Sequence, residues 1–494
     1  MPLQLYLGTI AVVTLAATAA LMRAGWTQET SLWVLVASGV AAALVASQMA
    51  VTLVNWLATL LVTPHALPRM DFSRGIAPEA RTLVVVPTLL CNVSGVRAMV
   101  EALEVRFLAN QDVHLHFALL TDWCDAHAET LEGDAALLAA ATSGIEGLNA
   151  KYPGSFQDTF FLFHRPRLWN AQEGVWMGYE RKRGKLGALN AYLRGGTASV
   201  FSHVVGNVAP LQAVRYVITL DTDTQLQRDS ARNFAATMAH PLNRPHFDAE
   251  RQCVTSGYGI LQPRMAVSLH SSHRSRFARL MGSEPGVDPY TRAVSDVYQD
   301  LFHEGSFIGK GIYDVDAFEL ALKDCFPDNR ILSHDLLEGC YARTGLISDV
   351  QLYDDYPARY EADVARRTRW MRGDWQIASW LMRRVPVGSG QSQHRNPLSY
   401  LSQWKILDNL RRSLVAIATM VLLVLGWTQP GTTGLWTWAV LGMLVLTPVV
   451  GSCYHLLRKP RGMPWRQHVS IVYAGLARQL VQTALSLAFL PHEA

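Results

Sequence analysis

Residues 216–226 read YVITLDTDTQL, a strand-forming run that ends in Asp221 and Asp223, one residue apart. Two carboxylates that close repel each other, and desolvating either is costly, so the pair needs open water or a compensating cation. At the end of a strand they can share a hard divalent ion, Mg2+ or Mn2+, that keeps positions open for phosphate oxygens. The plainer reading is a turn with Asx hydrogen bonds. In SHDLLEG (333–339), Asp335 precedes an apolar helical pattern with Glu338 three residues on. That is the pattern of an N-cap and its capping-box partner, and also of a general base that takes a hydroxyl proton, since helix N–H groups keep such a carboxylate ionised. A metal site of His334, Asp335 and Glu338 is a third option. In RRTRWMRGDWQ (366–376), Arg366, Arg369 and Trp370 share a helical face. Arg and Trp together suit a diphosphate and a sugar ring, although an amphipathic helix on a membrane surface has the same composition. The basic run ERKRGKLGALN (180–190) is either a solvated helix start or, through Lys185, a neutraliser of phosphate.

The elements that must position these groups are short apolar runs: TLVVVPT (82–88), LHFALLTD (115–122), TFFLFHR (159–165) and RYVITLDTD (215–223). Continuous apolar strands separated by helical patterns predict a parallel sheet covered on both faces. Ligands bind beyond the carboxyl ends of such strands, where Asp122, His164, Arg165, Asp221 and Asp223 fall. No G-x-G-x-x-G follows the first strand, where Pro87 stands instead. GSFIGKG (305–311) has three residues between Gly305 and Gly309, and Gly311 follows Lys310, which excludes a P-loop. Without a cradle of backbone N–H groups, a bound diphosphate needs a metal ion and basic side chains.

The chain has 494 residues, 50% hydrophobic and 17% charged, too apolar for a purely soluble protein and too charged for one wholly embedded in lipid. The apolar excess sits at the ends. Residues 5–22 are long enough to span a bilayer. The uncharged run 32–62 predicts one crossing that continues as an interfacial helix carrying Gln48, Asn55 and Trp56. Leu414–Trp427 and Gly434–Cys453 predict a hairpin of spans around TQPGTTG. His468–Leu490 is a third candidate, left between spanning and lying in the interface because a lipid-facing Arg478 costs about 3 kcal/mol. The loops AGWTQETS and WTQPGTTG are nearly free of Lys and Arg, whereas Arg411, Arg412, Arg458, Lys459, Arg461 and Arg466 flank the other ends, so the region 66–400 is expected on the cytoplasmic side. No basic n-region precedes the first apolar run, so a cleaved signal peptide is not expected. The division is 1–65, two N-terminal spans; 66–355, the α/β domain; 356–412, interfacial helices; and 413–494, two or three C-terminal spans. The six cysteines show no C-x-x-C pairing and are expected as reduced structural thiols. VGSGQSQ (387–393) reads as a loop, and a net charge of +4 spread along the chain gives no case for nucleic acid.

Taken in order, these stretches resemble the processive inverting β-glycosyltransferases with a GT-A fold, a Rossmann-like nucleotide-sugar-binding sheet, the class of cellulose and hyaluronan synthases. The matching positions are Asp122, Asp221 with Asp223, Asp335 in SHD, and Arg366-x-x-Arg369-Trp370; His334 and Arg366 depart from the class pattern. The stretches PRMDFSRGI, EARTLVVVPTLL, EGVWMGYERKRGKL, HPLNRPHFD, DPYTRAVSDVYQDLFHEGSFIGKGIYDVDAF and ILSHDLLEGCYARTGL are similar to the glycosyltransferase domain of bacterial cyclic β-1,2-glucan synthases over roughly 64–412. The resemblance implies a UDP-glucose donor, a β-1,2-glucan acceptor, a multi-pass protein of the bacterial inner membrane, and phosphorylase-like domains elsewhere in longer family members. It implies Asp335 as base, Asp221 and Asp223 as metal ligands, and Asp122, Lys185, Arg366 and Arg369 as donor contacts. Trp370, Gly309, Gly311 and Glu338 would line the acceptor side. Other linkages, or binding of a nucleotide sugar without turnover, remain as alternatives, as does the choice between a stand-alone transferase and a piece of a longer chain.

Overall fold

The computed structural model describes residues 2–25, 31–64, 66–153, 158–196, 200–282, 291–292, 295–388, 392–429, 431, 433–457, 459 and 462–494. An eight-stranded sheet lies at the centre of 66–355. Its strands are β1 (Thr82–Leu90), β2 (Leu115–Trp123), β3 (Phe160–His164), β4 (His203–Val205), β5 (Tyr216–Thr219), β6 (Ile260–Val267), β7 (Gly311–Asp314) and β8 (Thr344–Asp354), in the spatial order β8-β6-β7-β5-β1-β2-β3-β4. The expected parallel core is present, β5-β1-β2-β3. The sheet as a whole is mixed, because β4 and β7 run antiparallel to their neighbours. These two strands are three and four residues long, too short to leave a periodic signal. Pro87 is tolerated because β5 pairs only with Thr82–Val85, so no ladder bond on that side needs its missing N–H.

Alternation along the strands fills both faces. Val84, Val86, Phe117, Leu119 and Ile218 enter one core with the helices Val93–Ala109 and Asp134–Lys151. Leu83, Val85, Ala118, Leu120 and Val217 enter the other, with Leu186, Leu189 and Leu193 of the helix Arg181–Leu193 and Phe318 of the helix Val315–Leu322. Burial of each large apolar side chain contributes about 1.5–3 kcal/mol, which fixes the strand ends at one edge of the sheet.

Among the described residues four helices are long and apolar enough to cross a membrane: Pro2–Gly25, Leu32–Leu61, Tyr400–Thr428 and Thr433–Leu457. Leu32–Leu61 is one unbroken helix that carries Gln48, Asn55 and Trp56 along its course, and Ser31 caps it. The helix Tyr400–Thr428 runs through the expected boundary at 412/413, so its first turns belong to the globular part and its last to the membrane part. Trp465–Glu493 is helical but not among the four, and it reaches back to the α/β part through a Gln482 bond to the Leu280 carbonyl. Ala41, Ala42 and Val45 pack on Ala418, Leu422 and Trp436, and Tyr6, Ala50 and Val54 pack on Tyr298 and Leu401, joining the N-terminal helices to the rest of the chain. Arg458 and Arg461, the centres of both Lys/Arg-poor loops, residues 389–391 of VGSGQSQ and much of DPYTRAV lie outside the described residues. What is described on either side of 389–391 pairs as a hairpin, Arg384–Val387 with Ser392–Arg395. Cys91 and Cys124 correct the expectation of six free thiols: they follow the paired residues Leu90 and Trp123, stand 5.6 Å apart at Cα and form a disulfide.

Candidate active site

Beyond Thr219 the chain leaves β5, with Leu220 still bonded to Val85, and turns through Asp221–Thr224. Buried Arg106, on the helix Val93–Ala109, holds this turn by its backbone, donating to the carbonyls of Thr222 at 2.8 Å, Thr224 at 2.9 Å and Asp221 at 3.4 Å. The Thr224 hydroxyl bonds Asp354 Oδ1 at 2.7 Å, and Gln225 N bonds the Tyr353 carbonyl, which ties the turn to β8. Asp221 therefore projects into a cavity of about 1480 Å3 whose wall also includes Lys182, Gly309, Lys310, Asp335, Glu338, Arg369 and Trp370 and extends to Ala416 on the helix Tyr400–Thr428.

Asp221 and Asp335 are brought together through Gly309. Lys182 Nζ is 2.6 Å from Asp221 Oδ1 and 2.8 Å from the Gly309 carbonyl. Gly309 sits at φ 85°, and a Cβ there would come within 2.8 Å of Asp335 Oδ2. Only glycine satisfies both demands. Lys310 bridges Asp221 Oδ2, at 3.1 Å, and the Asp354 carboxylate. Burial alone would raise the Asp221 carboxyl, but the Lys182 and Lys310 ammoniums overcome it and hold it at about 2. Asp335 moves the other way: burial lifts it, the Lys182 charge opposes, and the Asp221 charge adds to the rise. Glu338, one turn further along the helix Asp335–Tyr341, is pushed up to about 8 by burial and then by Asp335. The capping-box expectation is corrected, because His334 is the N-cap residue and no side chain caps this helix. His334 turns towards Glu180, Nε2 to Oε2 at 3.7 Å, and burial followed by the Arg183 charge lowers it to about 3, which keeps it neutral.

The remaining expected site residues divide. On the helix Tyr360–Gln376, Arg369 is exposed on the cavity wall with no ion pair among the described residues. Trp370 is 37% exposed beside it. Arg366 does not face the cavity: it bonds Asp363 at 2.7 Å and lies over the rings of Trp370, at 4.8 Å, and Tyr356. Its role is to back the Trp370 ring. Gly311 is corrected as well; it sits in β7, where a Cβ would strike the Leu261 carbonyl. Asp122 is fully buried, bonded by Arg165 at 2.8 and 2.9 Å with Lys185 Nζ at 3.3 Å. Lys185, bonded also to the Thr88 carbonyl, is buried, and burial lowers it to about 8 against the pull of Asp122. Neither Asp122 nor Lys185 reaches the cavity wall; with Arg165 they form its underpinning at the ends of β1 and β2.

Lys182, Arg106 and Asp354 were not singled out by the sequence, and Lys310 appeared only in the rejected P-loop. Lys182 lies within the basic run already noted, so the run was informative and the choice of lysine was not. As a divalent-ion site, the turn offers hard carboxylate oxygens: Asp223 is exposed and has no ion pair among the described residues. Among the described residues no group of three or more His, Cys, Asp or Glu is spaced to hold an ion alone, which removes the His334–Asp335–Glu338 alternative. Asp221, whose oxygens now carry Lys182 and Lys310, and Asp223 would supply part of a hard-oxygen set that phosphate and water oxygens would complete.

No protein-family profile matches the chain. Over 455 residues, 92% of its length, the chain is 42% identical to the cyclic beta-(1,2)-glucan synthase NdvB of Rhizobium meliloti (strain 1021), and it spans 16% of that protein's length. With four helices able to cross a bilayer and an α/β domain between them, identity at this level over nearly the whole chain makes it a membrane-protein homologue of one region of the cyclic β-(1,2)-glucan synthases.

Proposed function

We propose that the chain is a membrane-bound inverting glucosyltransferase of GT-A fold that moves glucose from UDP-glucose to the 2-hydroxyl of a growing β-1,2-glucan. The observation that carries this reading is the meeting of Asp221, Asp335, Arg369 and Trp370 on one cavity that continues towards a membrane helix. The acceptor hydroxyl attacks the anomeric carbon from the side opposite UDP; the new C–O bond forms as the bond to UDP breaks, and the Asp335 carboxylate accepts the hydroxyl proton. A partly desolvated carboxylate, raised in pKa but kept ionisable by Lys182, suits that task. Arg369 faces the diphosphate, and Trp370, backed by Arg366, supports the acceptor ring. Asp221 and Asp223 would hold a divalent ion, Mg2+ or Mn2+, which would supply electrostatic stabilisation of the leaving diphosphate. Glu338 and Gly309 border the acceptor hydroxyl, and the Asp122–Arg165–Lys185 cluster sets the floor beneath the nucleoside. The inner membrane, with the α/β domain on the cytoplasmic side, gives access to UDP-glucose.

The test is incubation of the detergent-purified chain with UDP-glucose and Mg2+, followed by mass and linkage analysis. The expected result is UDP release with 2-linked glucan. A product of another linkage would overturn the acceptor assignment, and absence of UDP release would overturn the enzyme.

A further inference from the structure

The two ammonium groups on Asp221 are held unequally. Lys310 has two carboxylates, Asp221 and Asp354, and its side chain is 10% exposed. Asp354 is itself anchored by the Thr224 hydroxyl. Lys182 has one carboxylate and one backbone carbonyl, and its side chain is 32% exposed. It starts from the first turn of the helix Arg181–Leu193 and lines the same cavity as Arg369. With more water, one carboxylate in direct contact where Lys310 has two, and a flexible four-carbon stem, Lys182 is the ammonium that leaves at the smaller cost. It also has reason to leave. Its Nζ and a divalent ion would compete for Asp221 Oδ1, and two like charges on one carboxylate oxygen repel each other more strongly in a cleft than in open water. Lys185, buried on Asp122, has no such freedom.

We propose that Lys182 is an exchangeable counter-ion. Without donor it neutralises Asp221; when a nucleoside diphosphate arrives with its divalent ion, Lys182 gives up Asp221 and its ammonium turns to the phosphate oxygens. This rests on the nucleotide-sugar reading above and adds to it a residue that serves two partners in turn. The exchange keeps the charge of the cleft nearly constant, because the site never holds the divalent ion and an unmatched ammonium together.

The exchange makes two affinities move in opposite directions. In the full chain in detergent, Mn2+ binding without nucleotide is followed by the EPR signal of free Mn2+, and UDP binding at saturating Mn2+ by calorimetry. Lys182→Met should bind Mn2+ roughly three- to tenfold more tightly, its competitor being gone, and UDP roughly tenfold more weakly. Lys182→Arg should restore UDP affinity. Lys182→Gln repeats the measurement if the Met variant melts early. Affinities that fall together, or UDP affinity unchanged in Lys182→Met, would overturn the exchange while leaving the donor site standing. If the unmodified chain binds no UDP with Mn2+, the nucleotide-sugar reading fails, and the exchange with it.

Discussion

At the end of β2, Asp122 is wholly buried and both its oxygens are occupied by Arg165, with Lys185 behind. At the end of β5, Asp221 is partly open, Asp223 has no ion pair among the described residues, and Asp335 across the cavity meets only longer-range charge. Both clusters are acidic residues at strand ends, and the residue types alone do not tell them apart. Access does: the Asp122 side chain is 0% exposed and the Asp221 side chain 40%. A carboxylate enclosed with buried donors is part of the frame, and removing it leaves cations stranded; one open to the cavity can exchange its partner for a proton or another cation.

The sharpest break in that contrast is Asp335→Asn. It should lower transfer roughly 10^2- to 10^4-fold with little change in UDP affinity; turnover near the original rate, in a steady-state UDP-release assay, would remove Asp335 as base. Asp122→Ala should act on the frame instead, costing about 3–5 kcal/mol as Arg165 and Lys185 lose their counter-charge. A lowered melting temperature is expected, and a melt unchanged alongside lost UDP affinity would make Asp122 a direct nucleoside contact. Trp370→Ala should weaken acceptor use by about 1–2 kcal/mol, seen as a raised KM for oligosaccharide and a shorter product, with donor affinity kept; the reverse pattern would refute the platform. The last test concerns Glu338 and reads stability against pH, not transfer; its folded pKa of about 8 lies above its ordinary 4.5. Its contribution to stability is fully present below pH 4.5 and is lost as pH rises through about 8, at no more than about 1.4 kcal/mol per pH unit. Glu338→Gln should flatten that slope in melts between pH 5 and pH 9, and an identical slope would show that Glu338 is ionised in the fold.

Much of this arrangement was legible in the sequence. The four strands that order the site and the four apolar helices follow from runs of side chains whose period and length are local properties. Asp221 and Asp335 were named from motifs, and they share a cavity. What escaped is long-range. Lys182 and Gly309 are 127 positions apart, and Lys310 and Asp354 are 44 apart, so no spacing rule joins them. Arg366 and Arg369 differ by three residues, yet an acid at Asp363 draws one away while the other stays open, a competition that helical periodicity does not encode. The Cys91–Cys124 pairing was recoverable in principle, since each cysteine ends one of two adjacent parallel strands, but only once their register was known.

Arg106 grips the turn at 221–224 through main-chain oxygens alone. Thr224 adds a side-chain bond to Asp354 and Asp221 its two lysines, whereas the path of the chain through 222 and 223 is set from the main-chain side, in the way a mould is indifferent to the pigment of its casting. Exchanges at Thr222 or Asp223 change what the turn offers to a ligand without changing where it offers it, so kinetic and binding data from variants at those two positions can be interpreted as chemistry, not collapse.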